Sequence, residues 1–415
     1  MLTRALYTLA LYLLLPWALL HLLLRARRQP AYLHHVGERF GFFPDRVSPS
    51  VIWIHAVSVG ETRAAEPLVK SLQTHYPQHR ILLTHGTPTG RQTSLELYGE
   101  RVDRCYLPYD FTWASRRFLQ HFRPIAGIFM ETEIWPNLVH ASAESAIPLY
   151  LVNARMSAKS ARGYRRMGAL TGNTLSRLSH IGAQTEQDAQ RLRELGARNV
   201  TITGNIKFDR IAPTEMVNLG VRLRNAFGAQ RPVFLAASTR EGEEALILDT
   251  LSKIDMPRLL TVVVPRHPQR FEDVGKLIKQ RGIKVQRRSE NAPIAGDTLV
   301  VIGDSMGEMF AYYAACDVAF VGGSLLPLGG QNLLEACAVG CPIIVGPHTF
   351  NFEEATRGAI EAGAAIRVTD VEDLARAIQR LLLDANLREA MSTAGKKFTD
   401  AHRGATAKTL EILKW

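Results

Sequence analysis

Cysteine is scarce in this chain. Cys105, Cys316, Cys337 and Cys341 are the only four in 415 residues, and no two form a CxxC pair. That spacing argues against a zinc site or a disulfide framework, and for small buried apolar residues in a reducing compartment. There is no basic block interleaved with aromatics, no helix-turn-helix pattern and no zinc-finger spacing, so no nucleic-acid partner is expected. No DxD tripeptide, low-complexity tract or short-period repeat occurs. Beyond residue 28 no apolar run is long enough to cross a membrane.

What is present is a globular composition, with 46% hydrophobic and 21% charged residues, over a length that implies two or three domains. Fifty Lys and Arg outweigh 39 Asp and Glu, a net charge of +11, which favours anionic partners such as an acidic membrane surface or a phosphorylated substrate. Residues 5–24 are apolar apart from Thr8, Pro16 and His21, and Arg25, Arg27 and Arg28 follow. The length suits a bilayer and the arginines suit an uncleaved anchor, with the following chain in the cytoplasm. Pro16 and Trp17 leave a shallow insertion open as well.

After the anchor (residues 1–30), short β-rich runs alternate with helical patterns. Strands are expected at 51–56, 80–84, 127–130, 148–152, 180–183 and 200–203. The pattern resumes at 232–237, 258–264, 299–302, 318–321 and 342–345. Such alternation implies parallel sheets built from βαβ units. The polar stretch opened by Pro213 marks a boundary, giving Rossmann-like domains over 31–212 and 213–415, with packing of the last helices back on the first domain left open. The expected fold class is α/β, two doubly wound lobes facing a cleft, with ligands at the carboxyl ends of the strands.

The polar motifs fall at those ends. Ser58 to Glu61 follow the first strand; Glu61 suits either a helix cap or a general base acting on an acceptor hydroxyl. Glu131 and Glu133 follow another strand, where two acids are weak evidence for a metal. Lys207 offers a point charge to a phosphate or carboxylate. Arg155, Lys159, Arg162, Arg165 and Arg166 form either a solvated face or a contact for anionic headgroups. In the second half Pro265 and Arg266 end a strand, and arginine suits bidentate phosphate contact. Met306, Gly307 and Glu308 sit at a loop-to-helix start. Gly329, Gly330, Gln331, Asn332, Leu333, Leu334 and Glu335 form a glycine-rich loop entering a helix, with Glu335 suited to ribose hydroxyls.

In combination the motifs HAVSVGET, LPYD, METEIWPN, NARMSAKS, GNIKFD, STREGEE, PRHPQRF, GDSMGEM, FVGGSL, GGQNLLEA and GPHTFNF resemble the 3-deoxy-D-manno-oct-2-ulosonic acid (Kdo) transferases of lipid A assembly in Gram-negative bacteria. The resemblance covers nearly the whole chain. It implies a GT-B fold, an inverting transfer from CMP-Kdo to the lipid A precursor, and a place on the cytoplasmic face of the inner membrane. It also implies Glu61 as catalytic base, with Glu131 and Lys207 stabilising the transition state. Pro265, Arg266, Met306 to Glu308 and Asn332 to Glu335 would bind CMP, with no metal or other cofactor. One departure is Gln331, where the family motif has histidine. Outside the family, a GT-B enzyme using a UDP-sugar is the nearest alternative; a sugar-nucleotide epimerase and a non-catalytic nucleotide-binding scaffold are more distant ones.

Overall fold

Two seven-stranded sheets, every neighbouring pair parallel, organise the chain. The computed structural model describes residues 2–44 and 51–415. Met1, residues 45–50 and the side chains of Leu2 and Arg28 lie outside the described residues, so the expected anchor is described as the helix Leu2–Arg28. The chain divides into two units, Met1–Asp209 with Arg403–Trp415, and Arg210–His402. Residues 403–415 therefore belong with the first unit. The polar stretch after Pro213 forms the helix Thr214–Phe227 of the second.

The first sheet contains β1 (Val51–His55), β2 (Arg80–His85), β3 (Val102–Tyr106), β4 (Ala126–Met130), β5 (Leu149–Ala154), β6 (His180–Ala183) and β7 (Val200–Ile202). Its order is β3-β2-β1-β4-β5-β6-β7. The chain steps outward from β1 to β3, then returns to place β4 on the other side of β1. The two sides of β1 show why its sequence is apolar up to His55. Val51 and Trp53 enter one core cluster and Ile52 and Ile54 the other, because successive side chains point to opposite faces. Each such fully buried aliphatic residue contributes about 1.5–3 kcal/mol. Gly127 in β4 has a specific cause: a Cβ there would lie 2.3 Å from Leu149 Cδ2 and 2.7 Å from the Trp53 ring.

The second sheet contains β8 (Val233–Thr239), β9 (Leu260–Pro265), β10 (Val285–Arg287), β11 (Val300–Ile302), β12 (Val318–Val321), β13 (Ile343–Val345) and β14 (Ala365–Arg367), in the order β10-β11-β9-β8-β12-β13-β14. Here the direction reverses between β8 and β12. In each unit, the loops leaving the two strands at the reversal diverge to opposite faces of the sheet and open a crevice at the carboxyl edge.

The C-terminal segment is fixed to the first unit by side chains. Asp209 accepts backbone N–H groups of Gly404 and Thr406, capping the helix Ala405–Ile412. Trp415 packs against Tyr76, ring centroids 5.1 Å apart.

Candidate active site

In the first unit the reversal lies between β1 and β4, and both expected glutamates stand there. Ser58 caps the short helix Val59–Ala64: its side chain accepts the Glu61 N–H at 3.4 Å. Glu61 answers by accepting from Val57 N at 2.8 Å and from Ser58 Oγ at 3.1 Å. Glu61 is thus positioned by the cap it helps to close. Burial first, then the charges of Glu131 and Glu133, push its carboxyl up to about 7 against the opposing hydrogen bonds of Val57 and Ser58. A carboxyl poised near neutrality is suited to exchanging a proton with a hydroxyl.

Glu131 ends β4 with φ +62°, a left-handed conformation unusual for a non-glycine residue. Lys207 Nζ lies 2.6 Å from Glu131 Oε1, an ion pair. Lys207 stands in the turn Ile206–Asp209, held from both sides. Ile206 N donates to Asn153 Oδ1 at 3.0 Å, and Asp209 is locked to the C-terminal helix. Asn153 is itself left-handed, at φ +52°. Glu133 accepts from Trp135 Nε1 at 2.9 Å and lies 3.8 Å from Nε2 of the buried His55. Three carboxylates and one lysine thus share this crevice. Among the described residues no three His, Cys, Asp or Glu side chains are arranged to hold a metal ion.

The second unit presents a different chemistry at its own carboxyl edge. Arg266 follows β9, its N–H donating to Thr239 O at 2.9 Å. Burial, then the guanidinium groups of Arg240, Arg266 and Arg270, push the His267 imidazole below its ordinary value, so three cations converge at this strand end. Arg270 is tied to Glu244 at 3.0 Å. The glycine loop after β12 is held by Glu243, fully buried, whose carboxylate accepts N–H groups from Arg240 (3.0 Å), Gly323 (2.5 Å), Ser324 (3.0 Å) and Leu325 (3.1 Å). Gly322 is obligatory at this crossing, since a Cβ would meet Ser238 O at 2.6 Å.

The expected nucleotide-binding residues all fall on this carboxyl edge, after β9, β11 and β12. Met306 is exposed, Gly307 has φ +80°, and Glu308 accepts from Ser305 Oγ at 2.6 Å. Asn332 Oδ1 accepts from Leu334 N at 3.1 Å where the helix Leu334–Val339 begins, and Glu335 pairs with Arg210. Pro265, Leu333 and Leu334 have buried side chains, so only their backbones could meet a ligand.

The comparisons with known proteins decide the family. Residues 34–210 match the family model described as 3-deoxy-D-manno-octulosonic-acid transferase (kdotransferase), and residues 278–398 match glycosyl transferases group 1. The 3-deoxy-D-manno-octulosonic acid transferase of Bordetella pertussis is 43% identical, covering 99% of each chain. The chain belongs to this family. The Haemophilus influenzae transferase is 39% identical over 99% of this chain and 98% of its own. In fold, a glycosyltransferase from Rickettsia africae superposes with a TM-score of 0.59 at 14% identity, covering 88% of this chain and 98% of that one. This is a Kdo-transferring glycosyltransferase of GT-B type, as the sequence motifs implied.

Several residues of the transferase site escaped sequence reasoning: His55, Asn153, Asp209 and Glu243 touch or brace the expected residues. The available signal was polarity inside an apolar strand for His55 and Asn153. For Glu243 it was an acid within one turn of a strand end. Burying such groups is unfavourable unless partners await them.

Proposed function

We propose that the enzyme takes Kdo from CMP-Kdo and delivers it, with inversion, to a hydroxyl of the lipid A precursor at the cytoplasmic face of the inner membrane of a Gram-negative bacterium. The first unit receives the acceptor and the second the nucleotide. The observation that carries this reading is the Glu61 carboxyl, held at the reversal of the first sheet and raised to about 7.

In this mechanism Glu61 takes the proton of the acceptor hydroxyl. The oxygen forms its new bond to the anomeric carbon of Kdo from the face opposite CMP. The old bond from that carbon to the phosphate oxygen breaks, and its electron pair leaves with CMP. Glu131 and Lys207 stabilise charge at the reacting sugar, and Arg266 with the backbone N–H groups near 306–308 meets the charge growing on the leaving phosphate. Holding both substrates in place removes an entropic barrier of up to about 7–11 kcal/mol in well-oriented systems. The cations of the chain neutralise a monophosphate leaving group, and no metal is assigned a step. The net charge of +11 suits an acceptor carrying two phosphates on an anionic leaflet.

The test is incubation of membranes carrying the enzyme with CMP-Kdo and the lipid A precursor, with a UDP-sugar in parallel, and mass measurement of the lipid product. A mass gain of one or more Kdo units supports the reading. Transfer from the UDP-sugar alone would refute it.

A further inference from the structure

We infer that the N-terminal helix lies in the plane of the membrane, seated lengthwise on the first unit and buried in one leaflet, rather than crossing the bilayer. The inference rests on the membrane placement proposed above and specifies its geometry. The helix is long and apolar enough to span, so its sequence favours crossing; its contacts do not.

Two stripes run along Leu2–Arg28 at helical spacing. Arg4, Tyr7, Leu11, Leu15, Ala18 and Leu22 are partly or fully covered. Leu6, Leu9, Leu13, Trp17, Leu20 and Leu24, on the opposite side, are exposed, Leu13 by 73% and Trp17 by 63%. The N-terminal half of the helix and the segment that follows its C-terminal end are both held by the same unit. Beyond its C-terminal end, Glu38 accepts from Arg91 at 2.6 Å and from Tyr106 N at 2.8 Å, and Arg39 donates to Gly86 O at 3.2 Å. At its other end Tyr7 OH donates to Asp110 Oδ2 at 3.0 Å, and Thr8 Oγ1 lies 3.0 Å from Asn137 Nδ2. Tyr12 packs on Phe111, centroids 4.9 Å apart.

Tyr7 and Ala26 are separated by about 28 Å of helix at 1.5 Å per residue, close to the roughly 30 Å of a hydrocarbon core. A crossing helix would carry Tyr7 to the far side of that core, away from the unit that holds it. Asp110 is 3% exposed and Asn137 fully buried with the helix seated, and lifting the helix away would break the hydrogen bonds of both to Tyr7 and Thr8. Asp110 also accepts the N–H groups of Asn137 (2.9 Å) and Leu138 (2.8 Å), starting the helix Pro136–Glu144, so the seat is built into the fold.

The exposed leucine stripe then takes acyl chains, and a cationic rim fits anionic headgroups. Arg25 and Arg27 close one end. Lys159, Arg162 and Arg166 are exposed on the helix Ala158–Arg166, which leads into the helix Ala169–Leu175 that touches the N-terminal helix. An interfacial helix usually carries its own polar face. Here the first unit replaces that face, which is why the sequence looks like a spanning segment.

Nitroxide labels on single cysteines replacing Leu6, Leu13, Leu20 and Leu24, in the full chain bound to vesicles of phosphatidylethanolamine and phosphatidylglycerol, report depth. The unsubstituted chain serves as blank. Equal depths within one leaflet are expected. A profile deepest at Leu13 and shallow at Leu6 and Leu24 would overturn the inference while leaving membrane placement intact. A chain that stays in the supernatant would sink both.

Discussion

The two units share one architecture and opposite chemistry. Each is a seven-stranded parallel sheet whose order reverses beside its first strand, and each places its site candidates in loops at the carboxyl ends of its strands. The first unit fills its crevice with Glu61, Glu131 and Glu133 around one lysine, Lys207. The second brings Arg240, Arg266 and Arg270 to one strand end and sinks its acid, Glu243, beneath a glycine loop. The fold therefore fixes where a ligand goes, and side-chain charge fixes what is done with it. A buried carboxylate with other acids beside it is raised and ready to take a proton, as Glu61 is; clustered guanidinium groups suit an anion.

That contrast can be broken most directly at Glu61. Replacing it by Ala should lower kcat by about 10²–10⁴-fold, the range for a lost general base, with CMP binding by calorimetry unchanged. Normal turnover would remove the carboxyl from the reaction. Next in size, Arg266→Ala should weaken CMP binding by about 10–100-fold, matching a charge-assisted contact of roughly 1.5–3 kcal/mol, while leaving the pH profile unmoved. Glu243→Gln leaves part of the backbone N–H cluster unmatched. It should cost the fold about 1–3 kcal/mol in urea unfolding, and CMP affinity should fall with it as the Gly323 loop loosens. The smallest effect sharpens the electrostatic side. Glu61 must be ionised to act, so kcat/KM should fall about tenfold per unit below pH 7 and level off above it. Glu131→Gln deletes a negative charge that raises Glu61, so the acidic limb of the residual activity should move to lower pH; a limb that stays put would separate the two residues.

The strands most legible in sequence were the central ones. β1, β8 and β12 are buried on both faces, so their sequences run apolar over 51–54, 233–237 and 318–321. The three strands absent from the sequence reading, β3, β10 and β14, are all sheet edges. Their residues Asp103, Arg104, Gln286 and Arg367 interrupt the apolar signal because an edge strand is half-exposed. In the site, Glu61, Glu131, Lys207, Arg266 and the loops at 306–308 and 332–335 were all named from sequence. Their supports were not. Asn153 and Asp209 brace the Lys207 turn across 53 and 195 residues of chain separation, and no local pattern encodes such a pairing.

The sequence by itself determined the α/β class, the central strands, the polar loops after them and the family, because each is written in local periodicity and contiguous motif. Only the tertiary structure decided which acids are neighbours, why the Glu61 carboxyl is raised, and what holds the glycine loop. It alone also gave the N-terminal helix a covered side and an open one. Leucine repeated all around a helix carries no direction; a direction appears only when Asp110 and Asn137, a hundred residues away, reach Tyr7 and Thr8.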